Sequence, residues 1–319
     1  MKPFDLQGLT TYELQSRPSK VFVEDMGQPM VGGGSLGQWL ESLPKQLAAN
    51  SLRKVCDHLQ RAHSQGKTIV AALGGHVIKT GCGPYLIDWI NRGLIKAVVM
   101  NGAAAIHDFE LAYAGKTSED VAAQLPGGHF GMARETADAF ALASNRGAVD
   151  EKGLGRALGE HIHELGCPHS DVSVLHAAFR ANIACTVHVA IGTDIVHMHP
   201  NVSGAALGES SHIDFRRLCT VVSGLAGGVW LNLGSAVVLP EVFLKAVAVV
   251  RNFGYPLDGL VAVNLDKESR YRTLTNVLSR SASEGLELIG HHEILIPLIH
   301  SVLAARPACA QPPLPRMVA

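Results

Sequence analysis

The sequence predicts an α/β fold with a doubly wound, mainly parallel sheet and helices on both faces. Two observations lead to this fold class. Short apolar runs alternate along the chain with longer segments in which apolar residues recur every three or four positions. Most of the runs end in glycine or asparagine, as strands do where the chain turns into a helix. Apolar runs without polar alternation indicate strands buried on both faces, which is typical of parallel sheets.

The elements can be assigned in chain order. Helical periodicity covers residues 37–65, and the first apolar run, residues 68–73, ends in Gly74-Gly75. A helix over 82–92 then leads to a second run over 97–100, so these segments make one βαβ unit. Three more strands are predicted at 184–191, 229–233 and 260–263, with helices at 213–223 and 240–253.

This order of elements predicts one α/β domain over residues 46–305. Residues 1–35 are mixed in composition, and residues 1–45 are expected to form an N-terminal extension. Residues 306–319 are rich in proline and are expected to be a disordered tail.

Composition narrows the class of protein. The net charge of −1 gives no electrostatic basis for nucleic-acid binding. No apolar stretch reaches the 18 residues of a transmembrane helix, and the first residues lack the apolar core of a signal peptide. Six cysteines without CxxC spacing indicate reduced thiols rather than a disulfide framework. We therefore expect a cytoplasmic enzyme that acts on a small molecule.

Histidine supplies the candidate catalytic groups. The chain has 16 histidines, and two strings, residues 192–200 and 290–293, concentrate them beside glycines. Histidine titrates near neutrality and ligates metals, so acid/base catalysis and metal binding are both open. The third possibility is that the rings hydrogen-bond backbone carbonyls and bind nothing. The candidate catalytic residues are His107, His197, His199, His291 and His292.

A metal site is the sharper form of this hypothesis. His197 and His199 stand at i and i+2, a spacing that lets two rings converge on one ion. Together with His292 they form the predicted metal set, which would suit a divalent metal such as zinc or iron.

Ligands of parallel sheets bind beyond the carboxyl ends of the strands, where the glycine turns of this chain lie. Asp194 is a candidate for ribose hydroxyls, and Lys79 for a phosphate or an anionic substrate. Asp108 is a candidate to orient His107, although helix capping is common for aspartate at such positions. None of the turns is a GxGxxG string, so tight packing explains their glycines equally well. The loop over 126–131 either closes over substrate or is a surface turn.

Over roughly residues 65–305 the order of motifs resembles the deoxyhypusine synthase family, whose members bind NAD on a Rossmann-like core. The strings that carry the resemblance are Lys79-Thr80-Gly81, the segment 101–108, Gly192-Thr193-Asp194, Leu233-Gly234-Ser235-Ala236, Asn264, and His291-His292-Glu293 with the apolar helix after it. The resemblance implies NAD as cofactor and a homo-oligomer, a tetramer in that family. The implied cofactor-binding residues are Gly75, Thr80, Gly81, Asn101, Gly102, Ala103, Asp194, Gly234, Ser235 and Asn264.

The chain also departs from this family. The family's aminobutyl transfer uses a lysine amine near the C-terminus, but the corresponding stretch, residues 279–289, has neither lysine nor tryptophan. An acidic residue that holds the polyamine falls near His199. We expect a pocket of His197, His199, His291 and His292 to repel a cationic polyamine when protonated. The deoxyhypusine reaction itself is therefore not expected.

Three functions follow from these observations. The first is an NAD-dependent transferase or oxidoreductase that acts on a small molecule through the histidines, for instance by transient oxidation of an amine or alcohol. The second is a metal-dependent enzyme without redox chemistry on the same fold. The third is a nucleotide-binding sensor without turnover.

Overall fold

A computed structural model describes residues 1–30 and 32–305, and its centre is one parallel sheet. The strands are β1 (Ile69–Leu73), β2 (Ala97–Asn101), β3 (Ala184–His188), β4 (Val229–Leu233), β5 (Val261–Asp266) and β6 (Glu284–Ile289). They lie in the order β3-β2-β1-β4-β5-β6, and every pair is parallel. The predicted fold class is confirmed. The predicted tail, residues 306–319, lies outside the described residues.

Helices surround this sheet. They are α1 (Leu36–Ser42), α2 (Leu47–Ser64), α3 (Gly75–Lys79), α4 (Gly83–Asn91), α5 (Gly102–Ala114), α6 (Val121–Gln124), α7 (Arg134–Val149), α8 (Leu154–Glu164), α9 (Val174–Arg180), α10 (Gly204–Ser223), α11 (Val238–Asn252) and α12 (His292–Ala305). A π-helix, Thr273–Ser279, joins β5 to β6, and short 3₁₀ turns include Ile195–Met198. Before α1, residues 1–30 carry only 3₁₀ turns, and almost all of their side chains are exposed.

The core has two halves, one on each face of the sheet. In β1, Ile69, Ala71 and Leu73 face the larger half, and Val70 and Ala72 face the smaller one. Successive strand residues point to opposite faces, so an apolar run without alternation fills both halves. On the smaller half the Trp230 and Phe243 rings stack with centroids 3.9 Å apart. All five residues of β1 are buried, as the sequence predicts.

The strand order reverses between β1 and β4, which creates the crevice where doubly wound folds bind ligands. The two strand ends approach closely there. A Cβ atom on Gly74 would lie 2.0 Å from the carbonyl oxygen of Gly234, and the Gly74 amide donates to Leu233 O. Glycine at 74 is thus required for the packing of the two turns, whether or not a ligand binds beside them.

The strand predicted over 184–191 is shorter than expected, since β3 ends at His188, and three larger differences concern other elements. The helix predicted over 37–65 is broken into α1 and α2, because Pro44 disfavours helical backbone at Leu43, which is extended. Helix α10 begins at Gly204 rather than at 213, with Ser203 as its N-cap. The sixth strand, β6, was not predicted. It is an edge strand in which only Leu286 and Leu288 are buried, so it lacks a continuous apolar run.

Candidate functional site

A cavity of about 230 Å³ lies at the carboxyl edge of the sheet, beyond β1, β2 and β3. We call it the inner cavity. It is lined by Lys79, Ala103, Ile106, His107, Glu110, Ser118, Glu119, Val121, Phe130, Thr193, Asp194 and Ile195. Four of the residues predicted from the sequence, Lys79, Ala103, His107 and Asp194, are therefore brought together here.

His107 is held by a chain of hydrogen bonds that ends at a carboxylate. The Thr117 hydroxyl donates to Glu110 Oε2, so its oxygen accepts from His107 Nδ1–H at 2.7 Å. Thr136 Oγ1 donates to the other carboxylate oxygen of Glu110 at 3.1 Å. This arrangement fixes the tautomer and leaves Nε2 as the ring nitrogen that can accept a proton.

The local sequence explains this geometry. Asn101 caps α5 by accepting the Ala104 amide at 2.9 Å, and His107 and Glu110 stand three residues apart on one face of the helix. Helix α5 ends at Gly115, whose left-handed φ of 68° turns the chain so that Thr117 returns to that face. Burial opposes ionisation of Glu110, but the polar groups of His107, Thr117 and Thr136 lower its pKa. Glu110 thus stays anionic behind His107.

Asp194 lies against the N-terminus of α5. A Cβ atom on Gly102 would lie 2.1 Å from Asp194 Oδ2, so this contact requires glycine at position 102. The carboxylate accepts the Ala190 amide at 3.4 Å and lies 4.0 Å from His197 Nε2. Burial raises the pKa of Asp194, against the effect of these two groups.

Near the end of β1 lies a group that we call the positive cluster: His76, His292, Lys79 and Lys267. The Glu293 carboxylate acts on His76 in the opposite sense and offsets part of the positive charge. His76 Nδ1 lies 3.1 Å from Nδ1 of His292, and His292 Nε2 lies 3.1 Å from Leu265 O. Burial and then the neighbouring His292 lower the pKa of His76, and Lys79 and Lys267 add to the effect. Both lysines are exposed, and within the described part of the chain neither one forms an ion pair. Just beyond Lys79, Gly81 has a φ of 79° and no other atom near its Cβ position.

The predicted metal set is not brought together. His199 Nε2 bonds Gly131 O at 2.8 Å, His197 Nδ1 accepts the Gly192 amide at 3.0 Å, and both nitrogens of His292 are engaged at the end of β1. Within residues 1–30 and 32–305, no group of three or more His, Cys, Asp or Glu side chains is placed to hold a metal ion. The i, i+2 spacing fails because Ile195–Met198 is a 3₁₀ turn rather than a strand.

The five predicted catalytic histidines occupy different surroundings. His107 lines the inner cavity, whereas His292 is buried between strand ends and His291 is exposed beside Glu293. His197 and His199 lie on the loop after β3, where His197 holds the backbone of that loop at Gly192 and His199 ties the loop to Gly131 O. The expected four-histidine pocket is therefore wrong. The inner cavity is lined instead by three carboxylates, Glu110, Glu119 and Asp194, against one lysine, a balance that attracts a cation.

Most side chains of the predicted cofactor set are used within the fold. Thr80 Oγ1 donates to His76 O, Ser235 Oγ accepts the Leu239 amide, and Asn264 bonds Asn232 and Glu287. The Cβ position of Gly75 is 3.1 Å from His107 Cδ2, and that of Gly234 is 2.9 Å from His292 Cε1, so these two glycines seat imidazole rings. Of the glycines in the predicted set, Gly81 alone has open space at its Cβ position.

Asp108 does not orient His107. Its carboxylate is buried and accepts the Ser173 hydroxyl and the amides of Val174 and Leu175, which caps α9. Glu110, two residues later, does the orienting. Sequence reasoning missed Glu110, Thr117, Thr136 and Lys267. The i, i+3 spacing from His107 was the signal that could have identified Glu110.

Comparisons with known proteins give the fold and not a family. No protein-family profile and no curated protein sequence matches the chain. Unliganded AgrE superposes with a TM-score of 0.55 at 18% identity over 79% of this chain and 32% of AgrE. AgrE in a ternary complex with ornithine and NAD⁺ gives 0.54 at 17% identity. The arginine dihydrolase ArgZ of cyanobacteria gives 0.50 at 17% identity, with 79% of this chain and 31% of ArgZ covered.

The chain thus spans about a third of the length of ArgZ and AgrE. A conserved protein of Methanococcus maripaludis S2 assigned to LOR/SDH gives 0.50 at 16% identity, with 82% of this chain and 70% of that protein covered. A protein of Entamoeba histolytica assigned as a deoxyhypusine synthase also appears among the neighbours, at 0.48 and 12% identity. The comparisons therefore show the fold and do not show that the chain belongs to the deoxyhypusine synthase family.

Among the described residues, no helix is both long and apolar enough to cross a membrane.

Proposed function

We propose that this protein is an enzyme that binds NAD at the carboxyl edge of its sheet and oxidises a small amine or amino acid in the inner cavity. One observation carries the proposal. His107, oriented through Thr117 by an ionised Glu110, lines a cavity whose charged groups are mainly acidic, next to the positive cluster at the end of β1. An acid/base group, an acidic substrate cavity and a cationic edge thus meet in one place.

His107 would act as the general base. Oxidation of a primary or secondary ammonium to an iminium removes one hydride from carbon and one proton from nitrogen. The free Nε2 is the atom that takes this proton, and the Glu110 carboxylate stabilises the imidazolium that results. The same step serves an alcohol, which loses a hydride from carbon and a proton from oxygen. Proton transfer of this kind contributes roughly 10² to 10⁴-fold to a rate.

The residues at the end of β1 fit an anionic dinucleotide. Lys79 and Lys267 supply positive charge near the reversal of strand order, and the open turn at Gly81 lets a backbone amide approach a phosphate. The match is incomplete, because an acid at the end of β2 usually holds the ribose, whereas here Asn101 caps α5. When bound, NAD supplies the acceptor for the substrate's hydride. Lys79 also lines the inner cavity, so it would hold cofactor and substrate side by side.

A cationic substrate follows from the charge of the inner cavity. Glu110 and Glu119 present negative charge where an ammonium would sit, and the ring of His107 is neutral in the form that accepts a proton. AgrE, which shares the fold, is known in complex with ornithine and NAD⁺. The resemblance of the motifs also supports a homo-oligomer, which light scattering on the purified protein would test.

The test has two parts. Calorimetric titration of the purified protein with NAD measures cofactor binding, and native mass spectrometry identifies any nucleotide retained through purification. Amine-dependent reduction of NAD, followed by absorbance of the reduced nicotinamide, then measures turnover with a panel of small amines and amino acids. The variant His107→Gln should lower turnover by roughly 10² to 10⁴-fold and retain NAD binding. His212→Gln, exposed on α10 and outside the inner cavity, is the matched control.

Absence of NAD binding would contradict the proposal. Binding of NAD without turnover of any amine or alcohol would instead favour a nucleotide sensor. Full activity in His107→Gln would remove His107 from the mechanism.

A further inference from the structure

A second, larger cavity adjoins the inner one. It measures about 410 Å³, and we call it the outer cavity. It is lined by Phe109, Glu110, Tyr113, Ala114, Lys116, Thr117, Ser118, Glu119, Ala133, Glu135 and Thr136. Glu110, Ser118 and Glu119 line both cavities and form a shared wall. We propose that the outer cavity is a specificity subsite for an aromatic or branched apolar group of the substrate whose amine reaches His107.

Volume is the first argument. Ligand sites typically measure roughly 300–1,000 Å³, and the inner cavity of about 230 Å³ falls below that range. A ligand confined to it would have only a few heavy atoms. Extension across the shared wall adds about 410 Å³, which brings the site to the size of an ordinary metabolite pocket.

The outer cavity has an aromatic wall. Phe109 and Tyr113 lie one helical turn apart on α5, and their rings stack with centroids 5.7 Å apart and an interplanar angle of 17°. Tyr113 is 42% exposed although it is a large aromatic residue. Ala114 and Ala133 leave space in front of these rings. Such a surface gains most from contact with an apolar group.

Most polar groups that line the outer cavity already have hydrogen-bond or ion-pair partners within the protein. They therefore offer few binding contacts to a second charged group of the substrate. Thr117 and Thr136 both donate to Glu110, and Glu119 accepts the Gly131 amide at 2.9 Å. Glu135 pairs with Arg134 at 3.1 Å. Apart from the shared wall, the charged residues that line this cavity are Lys116 and Glu135, which is paired with Arg134. The unbalanced negative charge lies at the shared wall, where the substrate's ammonium would sit.

This inference rests on the proposed function, since it places the amine of the substrate at His107. Three probes separate the two ideas: propylamine, 3-phenylpropylamine and the neutral 3-phenylpropanol. Calorimetry with the full-length protein should show 3-phenylpropylamine binding about tenfold more tightly than propylamine, the ratio expected for burial of an aromatic ring. The variant Ala133→Trp, which fills the outer cavity, should abolish this ratio and leave propylamine binding unchanged. The control is Val149→Trp. Val149 is exposed at the C-terminal end of α7, the helix that Ala133 precedes, so this variant should leave the affinity ratio unchanged.

Tyr113→Ala provides a second variant in case tryptophan at 133 disturbs the start of α7. Because Tyr113 is partly exposed, its loss should lower the affinity for the phenyl probes without unfolding the protein. Equal affinity of propylamine and 3-phenylpropylamine, or a ratio that survives both variants, would overturn the inference alone. Binding of 3-phenylpropanol that is sensitive to both variants, with no binding of either amine, would support the subsite and contradict the amine substrate. Binding of none of the three probes would overturn both.

Discussion

At the carboxyl edge of the sheet, similar polar residues hold the structure together in one half and line a cavity in the other. At the ends of β4 and β5, polar side chains bond to one another, to nearby backbone, or to Glu287 and His76: they are Asn232, Ser235, Asn264 and His292. Of the side-chain atoms of these four residues, Asn232 Oδ1 is buried without a partner. Beyond β2, His107 has one committed ring nitrogen and one available nitrogen, and it faces a cavity. The position of a polar residue at a strand end therefore does not make it functional. Unused hydrogen-bonding capacity next to a cavity is what makes His107 the stronger candidate.

The largest expected effect comes from the half with the cavity. His107→Gln should lower turnover of an amine by roughly 10² to 10⁴-fold, because the proton acceptor is lost, with little change in NAD affinity. Thr117→Val should also lower turnover, by a smaller factor, because it removes the hydroxyl that bridges His107 Nδ1 and Glu110 Oε2, two atoms that lie 3.8 Å apart. Steady-state kinetics measures both effects. A Thr117→Val enzyme with the turnover of the unaltered protein would contradict the orienting role of this hydrogen-bond chain.

A buried polar side chain outside the β4 and β5 half can also be used for structure, as Asp214 illustrates. This buried carboxylate of α10 accepts the amides of Gly155 and Val187, each at 2.8 Å, and burial raises its pKa to about 7. Between its unfolded value of 3.8 and about 7, the folded protein holds a proton that the unfolded chain has lost. The free energy of unfolding should therefore decrease as pH rises through this window, by up to a few kcal/mol.

Asp214→Asn should flatten this pH dependence, because asparagine cannot ionise and keeps an oxygen for the two amides. Urea unfolding of both proteins from pH 4 to pH 8 measures the slope. Burial also raises the pKa of Asp108, to about 6. Asp108 therefore makes the free energy of unfolding decrease with rising pH in both proteins, by a smaller amount than Asp214. An unfolding free energy in Asp214→Asn that still falls steeply above pH 6 would show that Asp214 is ionised throughout.

Substitutions in the half near β4 and β5, where the side chains are already hydrogen-bonded, should change the stability of the protein rather than its activity. His292→Leu removes the contact with Leu265 O and leaves His76 without its partner ring. Loss of a buried hydrogen-bond partner costs about 1–3 kcal/mol, so the free energy of unfolding should fall by that amount in chemical denaturation. Turnover measured well below the unfolding transition should stay within about twofold of the unaltered protein, a change worth under roughly 0.5 kcal/mol. A large loss of turnover without a loss of stability would place His292 in the catalytic machinery.

This contrast also explains what the sequence could and could not predict. Buried strands are visible because five apolar runs lack polar alternation, and only the edge strand β6, with two buried residues, escaped notice. His107 was found because it follows a strand end. Its partners were not, since Thr117 returns to the site only through the left-handed turn at Gly115, and Thr136 belongs to a helix far along the chain. The two histidine strings predict rings that share one site. The 3₁₀ turn at Ile195–Met198 and contacts with backbone atoms keep these rings apart.

The smallest expected effect concerns the lysines at the end of β1. If Lys79 and Lys267 contact a diphosphate, Lys79→Ala and Lys267→Ala should each weaken NAD affinity by about two- to fivefold, the effect of losing one partly screened ion pair. The loss should shrink as salt is raised, since salt screens exposed charges. Lys67→Ala, at the opposite end of β1, is the matched control and should leave NAD affinity unchanged. Equal affinities in all three variants would move the dinucleotide away from the end of β1, and with it the reason for expecting Lys79 to hold cofactor and substrate together.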